Sequence, residues 1–153
     1  MKMRDVTTLA AIISISSLAF AAERSIRRSS LPPAVENALQ QQIKGATVKG
    51  FTTETENGHQ TYEVELIVGG HTKNIEFDGK GNIQEVEEEV AFETLSPQVK
   101  AALTTKAKVG TVKKVESLRK QDKLVAYEAQ VEKSGKHFEI QVGPNGETLR
   151  HEE

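Results

Sequence analysis

The chain is written twice. "LPPAVENAL" at 31–39 returns as "LSPQVKAAL" at 95–103, and "TVKGF" at 47–51 returns as "TVKKV" at 111–115. "YEVELIVGG" at 62–70 returns as "YEAQVEKSG" at 127–135, and "NIEFDGKGN" at 74–82 as "EIQVGPNGE" at 139–147. The shift is 64 residues through the first two matches and 65 through the last two. Four matches in one order define a duplicated supersecondary unit. A unit of roughly 60 residues buries too little surface to be comfortably stable alone. The two copies are therefore expected to pack together or to join edge to edge.

Each copy has the same internal grammar. A proline stands near a helix start, where its fixed φ suits the first turn and its missing N–H costs no bond. In the second copy Ser96 is the expected N-cap with Pro97 after it. Val35, Ala38, Leu39 and Ile43 fall on one helical stripe, as do Val99, Ala102, Leu103 and the stem of Lys106. These helices are too short to persist in water unaided and must dock on a sheet.

Period-two patterns supply that sheet. A first strand is expected at Thr47–Thr53 and at Val112–Leu118, with loops at Gly58 and Asp122. Tyr62, Val64, Leu66 and Val68 alternate with Glu63, Glu65 and Ile67. Val125, Tyr127, Ala129 and Val131 do the same in the second copy. Ile75 and Phe77 follow, matched by Ile140 and Val142, and last strands are expected near Ile83 and Thr148. One face of such strands is buried and the other available. The expected fold is α+β: two tandem repeats, each a short helix followed by a three- to four-stranded antiparallel sheet.

The beginning reads differently. "MKMRDVTTLAAIISISSLAFAAE" has a basic head, an apolar run from Leu9 to Phe20, and small residues at Ala19 and Ala21. That is the form of a secretory signal peptide, and the run is short for a bilayer span. The expected organisation is a signal peptide over 1–21, cut after Ala21 or Ala22, a flexible segment over 22–30, and repeats over 31–90 and 91–153. Losing Lys2, Arg4 and Asp5 leaves a net charge near −3. Such a balance gives no electrostatic case for nucleic acid. The absence of cysteine excludes disulfide and thiol chemistry. The expected location is the periplasm or the exterior, with no stable membrane insertion after cleavage.

Few residues look like chemistry. "DGKGN" at 78–82 lacks the alternating carboxylates and closing glutamate of a calcium loop, and the long Gly-rich, Lys-Ser/Thr context of a phosphate loop. It reads as a turn, with Gly81 and Gly146 at matched positions suited to a left-handed backbone. The acidic run "EVEEEVAFE" at 85–93 reads as a solvated strand edge or a linker, Val86 and Val90 holding the protein side. His59, His71, His137 and His151 show no zinc spacing. The serines lack the strand–Gly-x-Ser-x-Gly–helix setting of an activated nucleophile. "RSIRR" at 24–28 reads as a disordered basic start.

The leading "LPPAVENAL", the "YEV" strand and the "FD-G-G" turn together resemble a PepSY or PepSY-like unit. The second copy keeps Tyr127 but has Ala129 for Val64, and Val142-Gly143 for Phe77-Asp78. This resemblance covers roughly 31–151 and implies small, non-catalytic envelope modules. The tandem arrangement resembles β-lactamase-inhibitory proteins, in which a concave sheet face grips the partner. It implies no catalytic residues and no cofactor.

The resulting expectation is an exported, non-enzymatic module that binds or regulates a peptidase or other envelope protein or peptide. Its candidate partner face is Glu63, Glu65, Glu76, Glu128, Gln130, Glu132, Glu139 and Gln141. Two alternatives belong to other classes: a small hydrolase with a cleft between the repeats, and a divalent-metal-responsive protein using the acids at 85–89.

Overall fold

The structure, a computed structural model, describes residues 24–56, 58–151 and 153; the expected signal peptide lies outside the described residues. Among the described residues, eight strands form one antiparallel sheet in simple sequential order. They are β1 (Arg24–Ser25), β2 (Thr47–Glu56), β3 (His59–Val68), β4 (His71–Asp78), β5 (Ile83–Glu89), β6 (Thr111–Lys120), β7 (Lys123–Lys133) and β8 (Lys136–Val142). Helix α1 (Pro33–Gln42) precedes β2, and α2 (Pro97–Ala107) precedes β6. The expected α+β fold, two helices each followed by antiparallel strands, is what the chain adopts.

Both helices cover the same face of the sheet. Val35 and Leu39 of α1 pack on Val64, Leu66, Ile75 and Phe77. Val99, Leu103 and Ala107 of α2 pack on Val115, Ala129, Val131, Ile140 and Val142. Each large aliphatic or aromatic side chain buried here contributes about 1.5–3 kcal/mol. That burial is what holds helices of only three turns in place. The expected cap is present: Ser96 Oγ accepts from Val99 N at 3.3 Å. Lys106 buries more than its stem, since its Nζ donates to Gln141 O at 2.7 Å.

The matched glycines have a reason beyond the turn itself. Gly81 and Gly146 both have left-handed backbones, φ +83° and +84°. A Cβ at Gly81 would sit 2.5 Å from Ala34 O, and one at Gly146 2.6 Å from Gln98 O. Each turn is pressed against the first turn of its helix. In "DGKGN", Asp78 accepts from Lys80 N and Asn82 N at 2.8 and 2.9 Å. The motif is therefore a self-satisfied turn, as expected.

Three expectations are corrected. The acidic run is neither a sheet edge nor a linker, because β5 pairs with β4 through Ile75↔Val86 and with β6 through Glu88↔Ser117. Val86 enters the first core and Val90 the second, so this strand fuses the two halves. Residues 24–30, expected as a flexible lead, are tied down instead. Arg24 pairs with Thr53, Ile26 N donates to Phe51 O at 2.9 Å, and Arg28 meets Glu36 at 2.6 Å. Finally, no strand starts at Thr148. Ile83 begins a strand flanked on both sides, whereas a strand at Thr148 would have β8 alone as neighbour. The segment after Glu147 turns away from that edge, and Glu153 N donates to Gln141 Oε1 at 2.8 Å.

Candidate functional site

The face away from the helices is open, and alternation decides what lies on it. Glu63 stands opposite Glu76, and Glu65 opposite Asn74, in the first half. Glu128 stands opposite Gln141, Gln130 opposite Glu139, and Glu132 opposite His137, in the second. Each alternates with a core residue, so all eight expected residues share the face away from the helices, although Gln141 is buried there. They do not touch as one cluster, because β5 and β6 lie between the two groups.

Those two strands carry residues that the sequence reading did not assign to this face. Glu85, Glu87 and Glu89 take the open face of β5, while Glu88 turns to the helix side and meets Lys73 at 2.6 Å. Glu116 of β6 stands opposite both Glu89 and Glu128. The spacing 85, 87, 89 around Val86 was the available signal; reading the run as a linker concealed it.

A polar row crosses the seam. Thr72 N donates to Glu89 Oε2 at 3.0 Å, and the Thr72 hydroxyl lies 3.2 Å from Glu89 and 3.3 Å from Glu116. Glu116 is only 3% exposed and is held by Lys114 Nζ at 2.8 Å. Gln141 Nε2 donates to Glu128 Oε2 at 2.7 Å.

Crowded carboxylates on a partly buried face hold their protons more tightly. Glu87 shows this most: burial, then the charges of Glu85, Glu116, Glu128 and Glu63, push its carboxyl up to about 8. Burial also raises Glu76, Glu85 and Glu128, opposed in part by Thr61, Lys120 and Gln141 respectively. Asn74 Nδ2 donates to Glu87 Oε2 at 3.4 Å.

The two halves meet in a continuous hydrogen-bonded β5–β6 pair, where a hydrolase would need a cleft. A groove of about 400 Å³ lies beside the end of β5, lined by Val90, Phe92, Val112 and Lys113 among others. Among the described residues, no group of three or more His, Cys, Asp or Glu side chains is placed to hold a metal. His71 approaches Glu89 at 3.4 Å; Ser96 is a helix cap, and Ser117 Oγ donates to Glu88 O. No helix among the described residues is long and apolar enough to cross a membrane.

Residues 60–150 match the family model described as "Putative beta-lactamase-inhibitor-like, PepSY-like". The chain belongs to the PepSY-like family. This PepSY-like chain is also similar in fold to several solved structures. One is a DUF2874 family protein from Bacteroides ovatus: TM-score 0.61, 18% identity, covering 79% of this chain and 86% of that one. A protein from Bacteroides eggerthii described as periplasmic gives TM-score 0.62 and 18% identity, covering 78% and 86%. A BLIP-like protein from Bacteroides fragilis gives TM-score 0.54 and 23% identity, covering 76% and 82%. At these identities the likeness is one of fold. Among curated proteins, none matches this sequence. The description of that family is inhibitor-like.

Proposed function

We propose that the PepSY-like chain acts in the periplasm or outside the cell by gripping a protein or peptide partner on the open sheet face. The observation that carries this reading is the asymmetry of the sheet. Both helices are spent on one face. The other spans both halves and carries Glu63, Glu65, Glu76, Glu128, Gln130, Glu132 and Glu139, with Glu85 and Glu87 between them, while Gln141 and Glu116 lie buried within the same face. The signal-like residues 1–21, the expected repeats over 31–90 and 91–153, and the periplasmic description of a fold relative support the location and organisation. Regulation of a peptidase or another envelope protein fits such a surface.

The test is capture from an envelope extract with the mature protein, repeated with Glu65→Lys/Glu139→Lys. Both glutamates are exposed on the open face. A partner retained by the wild type and lost by this variant supports the reading. Retention by both places the contact elsewhere, and repeated capture of nothing counts against a binding module.

A further inference from the structure

Two buried apolar residues lie on the face that the helices do not cover. Leu118 and Ala126 stand opposite each other on β6 and β7 and are 1% and 0% exposed. Neither belongs to either helix-covered core. Their cross-strand row lies between two polar rows. On one side Glu85 stands opposite Lys120; on the other, Glu116 opposite Glu128 and Glu128 opposite Gln141.

Glu153 touches both flanking rows. Its backbone N–H donates to Gln141 Oε1 at 2.8 Å, and its carboxylate lies 3.6 Å from Lys120 Nζ. Gln141 is on β8 and Lys120 on β6, so this residue bridges the strip that contains Leu118 and Ala126. The segment that brings it there departs from the β8 edge, where the first half places its fourth strand. Gly143 N still donates to Glu147 O, so the turn closes before the segment leaves.

The strip is also acidic. Glu85, Glu87, Glu116 and Glu128 surround it, while positive charge enters through Lys114 and Lys120. Lys114 is already paired with Glu116, and Lys120 lies 3.5 Å from Glu85. Placing the Glu153 carboxylate here sets it against Glu85, whose proton it helps to retain. The anchors are one neutral hydrogen bond and one long, part-exposed ion pair, both of weak kinds. Such a strap is held loosely, in a place where cationic groups would be better matched.

We infer that the track from Gln141 across Leu118 and Ala126 to Lys120 is the seat of an extended cationic segment of the partner, and that the strap ending at Glu153 occupies it and is displaceable. This rests on the open-face reading and adds both the partner's charge class and an internal competitor.

The probe is a synthetic peptide of alternating lysine and alanine, titrated into the ¹⁵N-labelled mature protein. Heteronuclear NOEs of the strap amides are followed alongside the amide shifts of Leu118 and Ala126. In the free protein the Glu153 amide is expected to be ordered, and to lose order in Lys120→Ala/Gln141→Leu. The peptide is expected to release the strap and shift Leu118 and Ala126. It should bind about fivefold more tightly to a protein ending at Glu147, the gain from removing contacts of this size. Mobile strap amides in the free wild type overturn the strap, whatever the peptide does. Equal affinity for both proteins with the strap still ordered overturns the competition. A peptide that binds neither protein overturns the cationic partner, while capture by the open face is decided separately by Glu65→Lys/Glu139→Lys.

Discussion

The Thr72 hydroxyl lies 3.3 Å from Glu116 Oε1, across 44 residues of sequence and across the seam between the two halves. With β5 paired on both edges, this contact makes the duplicated units one sheet with one open face. The strands on either side of β5 cannot separate without breaking ladder bonds and exposing Val86 and Val90.

A single cooperative transition follows. Leu39→Ala opens a cavity in the first core and Leu103→Ala one in the second; both residues are fully buried. Each is expected to cost about 2–5 kcal/mol. In urea unfolding followed by circular dichroism and by tyrosine fluorescence, each variant should lower one shared midpoint. Two separated transitions in either variant would show halves that unfold independently.

Glu87 gives stability an unusual pH dependence. Its folded value of about 8 lies above the usual carboxylate range. Between the unfolded and folded values, the native state holds a proton that the unfolded chain has released. Stability therefore falls as pH rises from about 4.5 to about 8. Glu87→Gln keeps the neutral shape and removes the titration. It should stabilise by about 1–3 kcal/mol at pH 8 and by little at pH 5, read from urea midpoints. An equal effect at both pH values would show that Glu87 does not titrate in this window.

Gly81 and Gly146 meet two constraints at once, a left-handed φ and a helix carbonyl within 2.6 Å of any added Cβ. Alanine at either position is expected to cost about 2–4 kcal/mol, more than backbone strain alone. Gly69→Ala is the control, since φ there is +60° with open space around it; about 1 kcal/mol is expected. Similar costs at all three sites would remove the role given to helix contact.

Much of this was legible because it depends on local periodicity. Val64 and Leu66, Ile75 and Phe77, and Val99 and Leu103 each lie on the face that their spacing assigns, and Ser96 caps as its position before Pro97 implies. The pairing of β5 with β6 was not legible. "EVEEEV" has the alternation of a strand but the charge of an exposed one, and charge argued for an edge. What overrides charge is a long-range fact: Val86 and Val90 enter two different cores. The same blindness concealed Glu85, Glu87 and Glu116 as part of the open face. The departure of residues 148–151 from β8 was likewise invisible, since Thr148 aligns with Ile83 but has no second strand to receive it.

The most direct measurement is a paired capture experiment with charge placed on opposite sides of the sheet. Glu65→Lys/Glu139→Lys alters the open face. Gln41→Glu/Thr105→Glu alters exposed positions on the two helices. With both variants folded by circular dichroism, partner retained from an envelope extract is quantified against the wild type. The open-face variant should lose most of it and the helix variant almost none. Loss with the helix variant and retention with the open-face variant would place recognition on the wrong side of the sheet and contradict the proposed function.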